Sequence, residues 1–340
     1  MRDKSLDLMK ALSIVAVLYW HLQPFEYKVD QNNLFTHAIH WIKYYLNFEI
    51  TSMAVPVLLL VSLYLFFLKT LDDQHYFRKR IKRLFNISAF WISFQFVLFL
   101  WLQPIKIPGD KILPIILMGG PDLPLAGGSV FYYLVVLMLL ISLLHFLILA
   151  HIEQFGPMNV FFIILLLSYF EYMNLTGNNI PYWRIDSFLI YIPTIVLIQK
   201  KRSEWIRRRY FFIAGFLLFS IQDLFLGNLG GNNSHYARAS VYFGAVGFFL
   251  FCMRLKTREN KLVDFLSAYT LGIFAMHKYW LMLLLILFNE LYNRYEFGLY
   301  LNFMGLRWHW LYFCITILTV VVTMLAAAAL SLTPVKQFVK

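Results

Sequence analysis

The sequence predicts an all-α, polytopic membrane bundle of about ten transmembrane helices, with both termini in the cytoplasm. Three observations carry this. Apolar residues make up 60% of the 340-residue chain and charged residues only 14%, too few to clothe a soluble protein of this size. Long apolar stretches recur along the whole chain. Lys and Arg gather in alternate connectors between those stretches.

A spanning helix needs about 20 mostly apolar residues, and fewer where its ends snorkel or protein covers them. On that template the spans fall near 6–24, 52–69, 84–103, 129–150, 160–173, 185–199, 210–227, 238–254, 264–288 and 310–332, the fifth and sixth being short. Turn-rich connectors separate them, among them Pro104–Ser129, Asn174–Pro181 and Gly227–Ser234. No repeat, low-complexity tract or soluble appendage breaks the pattern, so residues 1–340 are expected to form a single domain. Met1–Lys4 leads directly into a segment carrying Asp7 and Lys10, so no cleavable leader is expected. Cys252 and Cys314 both lie in apolar runs, which argues against a disulfide framework.

The basic residues set the orientation. With the N-terminus inside, the inner segments hold 20 of the 30 Lys and Arg residues. They comprise Arg2 and Lys4, six between Lys69 and Arg83, six between Lys200 and Arg209, four between Arg254 and Lys261, then Lys336 and Lys340. The outer segments hold eight, namely Lys28, Lys43, Lys106, Lys111, Arg184, Arg238, Arg294 and Arg307, while Lys10 and Lys278 lie within spans. Excess Lys and Arg in short loops marks the cytoplasmic side. The net charge of +12 is therefore largely a topology signal, and no nucleic-acid partner is needed to explain it.

An ionisable group inside a span costs a few kcal/mol even on the mildest scale, so it is expected to face the bundle interior. The first helix carries Asp7, Lys10 and His21. The eleven steps from Lys10 to His21 make about three turns, which returns them to one face, and Asp7 lies three residues from Lys10 on that face. The stripe rises roughly 20 Å from the inner mouth towards the outer third of the bilayer. The same spacing also fits an interfacial ion pair with a headgroup histidine above it. On the ninth helix Ser267, Thr270, Phe274 and His277 follow three- and four-residue steps and share a face. His277 is about as far above Asp264 as His21 is above Asp7, though an interhelical hydrogen bond would equally explain it.

On the cytoplasmic side Phe77–Arg83 reads FRKRIKR, with Arg80 and Arg83 three apart on one helix face. Guanidinium groups there can grip phosphate bidentately, although any positive-inside anchor is basic. Trp20, Trp41, Trp101, Tyr182, Trp183, Trp308 and Trp310 read as an interfacial aromatic belt, some of which could stack on sugar rings. His37 and His40, three apart, are too weak a pattern for a metal, and none is expected.

Taken together, these motifs resemble the acyltransferase 3 family of membrane acyltransferases. SLDLMKALSIVAVLYWH resembles its opening, an acidic residue, then Arg or Lys, ten residues, and His, matched by Asp7, Lys10 and His21. AVPVLLLVSLYLFF resembles the second-helix stretch and is followed by the basic RxxR, here Arg80 and Arg83. SVFYYLVVLMLL resembles the aromatic start of the fourth span, and AYTLGIFAMH the SLGIYxxH ending, which places Gly272 and His277. Two departures stand out. Leu63 replaces the usual Gly after Ser62, and Tyr132–Tyr133 stand where relatives often have Trp–Phe.

The resemblance implies transfer of an acyl group, usually acetyl, from cytoplasmic acyl-CoA to a hydroxyl of an envelope carbohydrate. It implies His21, Lys10 and Asp7 as catalytic residues, Arg80 and Arg83 as the acyl-CoA site, and His277, Ser62 and Tyr133 as substrate-positioning residues. Acyl-CoA would be a co-substrate and no cofactor would be permanently bound. The protein would lie in the plasma membrane, with the lipid bilayer and a carbohydrate acceptor as its partners. An imidazole titrates near neutrality, so His21 suits a general base for the attacking hydroxyl. The competing reading is a transporter or flippase of a cell-surface polysaccharide or its precursor. Against it, the chain has no two similar halves and no paired Gly/Pro-broken helices.

Overall fold

A computed structural model of the chain describes residues 3–24, 27–29, 34–73, 75–102, 130–151, 155–228, 234–288, 300–303 and 306–339. The expected connector Pro104–Ser129, most of Gly227–Ser234, and Lys106, Lys111 and Arg294 lie outside the described residues. Local chemistry sets the helix starts. Helix α1 (Lys4–Leu22) begins at Asp3, whose carboxylate accepts from the Ser5 N–H at 3.0 Å. It ends at Gln23 in the left-handed conformation, φ 41°. Helix α2 (Leu34–Tyr45) continues through a π turn, Leu46–Ile50, and a 3-10 turn, Thr51–Met53, into α3 (Ala54–Asp72).

The remaining helices are α4 (Tyr76–Leu102), α5 (Tyr132–Leu149), α6 (Gly156–Leu175), α7 (Tyr191–Lys200), α8 (Arg202–Arg207), α9 (Arg209–Asn228), α10 (Ala239–Arg254), α11 (Lys261–Leu287) and α12 (Trp310–Leu330). Each predicted span overlaps a helix, and among the described residues seven helical stretches are long and apolar enough to cross a membrane. The stretch expected over 185–199 holds only the ten-residue α7, after a 3-10 turn at Ile185–Ser187. Every residue of α7 from Tyr191 to Ile198 is buried. Protein rather than lipid surrounds it, so irregular backbone is tolerated there.

Burial sorts the bundle into a centre and a rim. In the most apolar 18-residue window of Ala38–Asp72, 78% of the residues are buried, against 22% in the corresponding windows of α6 and α9. Helix α3 thus lies in the core with α1, α5, α7 and α10 packed around it, and Leu63 is wholly buried there. The rim helices expose apolar side chains such as Phe161 and Phe225, a surface suited to lipid. Beyond the end of α1 a small antiparallel sheet of order β1-β3-β2 joins Tyr27–Val29, Leu306–His309 and Tyr300–Phe303, with Tyr27 opposite Trp308.

After α12 the chain turns back into the bundle. A 3-10 turn, Pro334–Phe338, wedges between α4 and α11. The Trp91 indole N–H donates to the Phe338 carbonyl at 2.8 Å, and the Phe338 ring stacks on Phe90 at 4.4 Å. The Gly272 N–H donates to the Val339 carbonyl at 3.0 Å. A Cβ at position 272 would collide with the buried Val339 side chain, which is the physical reason for glycine there.

Candidate active site

The polar stripes of α1 and α11 face each other. At one end Lys4 Nζ meets both Asp264 carboxylate oxygens at 3.0 and 3.2 Å. One turn on, the Ser267 hydroxyl donates to the buried Asp7 carboxylate at 2.6 Å. At the other end the imidazoles of His21 and His277 lie 5.1 Å apart, tilted by 35°. The contacts climb both helices in the same direction, so α1 and α11 run parallel. Asp7 therefore has a partner on α11 that its neighbour on α1 did not foretell. Lys10 is half-buried on the same helix, between these rungs in sequence.

His277 is fully buried, with Nδ1 3.2 Å from the Ile273 carbonyl. A carbonyl can only accept, so Nδ1 carries a proton, and in the neutral imidazole Nε2 then carries the lone pair. That Nε2 is buried without a hydrogen-bond partner among the described residues. His21, Trp20, Tyr132, Tyr182, His235 and Lys278 help to line a cavity of about 320 Å3 at this end of the bundle. Phe274, one turn below His277, also lines it.

A second line of side chains runs from that cavity towards the start of α4. The Phe274 ring lies 6.3 Å from His277 and 5.7 Å from Tyr133. The Tyr133 and Ser62 hydroxyls share a hydrogen bond of 3.3 Å. Arg80 is within electrostatic reach of the buried Tyr133 hydroxyl and of Arg83. Arg80 is half-buried and Arg83 is exposed, so the two arginines, although on one helix face, meet different surroundings. His21, His277, Phe274, Tyr133 and Ser62 thus form one connected series with Arg80 within electrostatic reach of its end, and Asp7 lies on the same helix pair as the histidines.

The reading of the sequence missed a buried ionic network behind the cavity. Arg238, wholly inaccessible, donates through Nη1 to Glu49 at 2.5 Å and to Asp223 at 3.2 Å. Its Nη2 donates to the carbonyls of Phe48 and, at 3.4 Å, His235. Ser220 donates to Glu49 at 3.1 Å and Ser240 donates to Asp223. The π turn at Leu46–Ile50 carries Glu49 into this position. The network ties down the turn bearing His235, whose ring lies 4.7 Å from Trp20 in the cavity wall. Next to it, the Tyr132 hydroxyl donates to the Tyr236 hydroxyl at 3.0 Å. One signal for the network was available: Asp223 lies inside a predicted span.

A family model described as an acyltransferase domain, Acyl_transf_3, matches residues 3–328. The chain belongs to the acyltransferase 3 family. The match takes in every element of the connected series, from Asp7 on α1 to His277 on α11. With its apolar helices the protein is a membrane acyltransferase. No curated protein and no solved structure matches this acyltransferase.

Proposed function

We propose that this acyltransferase moves an acyl group, acetyl for preference, from cytoplasmic acyl-CoA to a hydroxyl of an extracytoplasmic polysaccharide or glycolipid. The reading includes ten spans in the plasma membrane with both termini inside. The observation that carries it is the packed His21–His277 pair, with His21 in a cavity wall, continued through Phe274 to Tyr133, which lies within electrostatic reach of Arg80 at the head of α4. The basic head of α4 offers charge-assisted contacts to the donor's phosphates. The aromatic and hydroxyl-lined cavity offers stacking and hydrogen bonds to a sugar.

In the proposed reaction His21 takes the proton of the acceptor hydroxyl as its oxygen attacks the thioester carbonyl carbon. The carbon–sulfur bond breaks, the ester remains on the acceptor, and the sulfur leaves as CoA thiol after receiving that proton from the imidazolium. His277, packed against His21, orients the ring and the acceptor. Ser62 and Tyr133 position the donor's acyl end. Asp7, fixed by Ser267, and Lys10 hold the lower part of the track.

The test is release of CoA thiol from acetyl-CoA by the purified protein, with and without polysaccharide extracted from the producing cells. A membrane acyltransferase of this kind releases thiol and labels the glycan. No release under either condition would overturn the proposed transfer from acetyl-CoA. Orientation is checked at Ser203, exposed on α8. A cysteine there is expected to escape impermeant thiol reagents in intact cells, and labelling would reverse the topology.

A further inference from the structure

A second cavity, of about 370 Å3, adjoins the first, and Trp20 lines both. One helical face builds its wall. His40, Lys43, Tyr44, Asn47 and Phe48 follow three- and four-residue steps along α2 and the π turn. The rings of Tyr44 and Phe48 are stacked 5.3 Å apart, only 7° from parallel. Across from them Gln23 closes α1 in its left-handed conformation. The Asn47 side-chain oxygen has no hydrogen-bond partner among the described residues.

This lining pairs flat apolar rings with amide, imidazole and ammonium groups around them. A pyranose has the complementary chemistry, with C–H faces that stack and ring hydroxyls that donate and accept. The volume is that of a small-ligand site. None of its lining residues is acidic, so a neutral or acidic sugar is favoured over one bearing an ammonium group.

We infer that the second cavity binds the neighbouring sugar residue of a glycan whose acylated residue occupies the first cavity. The acceptor is then a chain of at least two sugars, and Trp20 is the partition between the two subsites. This rests on the acyl-transfer reading above. A single-sugar acceptor would leave the α2 face without a ligand.

The experiment compares two rates for the purified protein: acylation of the extracted polysaccharide, and release of thiol from acetyl-CoA by water alone. Their ratio is read for the parent, Tyr44→Ala, Tyr44→Phe and His40→Ala. Losing one stacking surface is expected to lower the ratio about tenfold in Tyr44→Ala. Tyr44→Phe keeps the ring and stays within about threefold of the parent. His40→Ala falls between them. An unchanged ratio in both alanine variants overturns the subsite, including the case where Tyr44→Ala loses both rates together through misfolding and His40→Ala keeps the parental ratio. If the parent shows neither rate, the acyl-transfer reading itself has failed, which is a distinct outcome.

Discussion

His21 and His277, brought from helices some 250 residues apart in sequence, pack with their rings 5.1 Å apart, His21 in the wall of a cavity and His277 buried behind it. Two imidazoles that close cannot both carry charge without mutual repulsion. The Ile273 carbonyl engages Nδ1 of His277, and the ring's buried Nε2 has no hydrogen-bond partner among the described residues to stabilise a second proton, which favours a neutral ring beside a base at His21. The asymmetry predicts different outcomes for the two alanine variants.

His21→Ala is expected to lower acyl transfer by about a hundred- to ten-thousand-fold, the usual worth of general-base assistance. Binding of the donor should survive, because Arg80 and Arg83 are untouched. His277→Ala should give a smaller, graded loss. Acyl incorporation by cells with matched protein levels decides it, and near-parental incorporation by His21→Ala would sink the mechanism.

The two arginines of α4 are expected to differ. Arg80 is half-buried and within electrostatic reach of Tyr133, whereas Arg83 is exposed. A hydrogen bond to a charged group contributes about 1.5–3 kcal/mol, so Arg80→Gln should weaken acetyl-CoA binding by at least about tenfold. Arg83→Gln, in contact with solvent, should lose less. Calorimetry with acetyl-CoA reads both, and equal affinities for the parent and Arg80→Gln would reduce this segment to a topological anchor.

The helices and the stripe on α1 were legible in sequence because both rest on local periodicity. Asp7, Lys10 and His21 share a face by helical geometry alone. The facing of α1 by α11 was not legible, since Ser267 reaches Asp7 across 260 positions. Arg238 was read as one more outer charge, because counting Lys and Arg by side does not say which of them is buried. Its partner Glu49 is 189 residues away and precedes its span, so only the tertiary fold brings them together. The strands Tyr27–Val29 and Leu306–His309 are too short for an alternating pattern to declare itself.

Gly272 predicts a stability effect in the same region. A methyl at 272 meets the Val339 side chain and, at 3.2 Å, its carbonyl oxygen. Gly272→Ala should therefore cost about 1–3 kcal/mol, as overpacking does in a filled core. Adding Val339→Ala should restore most of that loss by making room. Thermal unfolding of both variants in detergent measures it. If the single variant unfolds at the parental temperature, the C-terminal turn is not docked between α4 and α11.

The ionic network behind the cavity separates stability from catalysis. Removing one partner from a buried pair strands a charge, so Glu49→Ala is expected to cost about 3–5 kcal/mol. Replacing all three members with apolar side chains of similar size, Glu49→Met, Asp223→Leu and Arg238→Met, strands no charge and should recover much of that stability. It should not recover transfer. Arg238 also bonds the carbonyls of Phe48 and His235, and no methionine can hold the turn that sets His235 against Trp20. A triple variant that is as stable as the parent but at least about tenfold slower would mark the network as a positioning device for the cavity wall. Parental rates in that variant would show that the three charges serve folding alone.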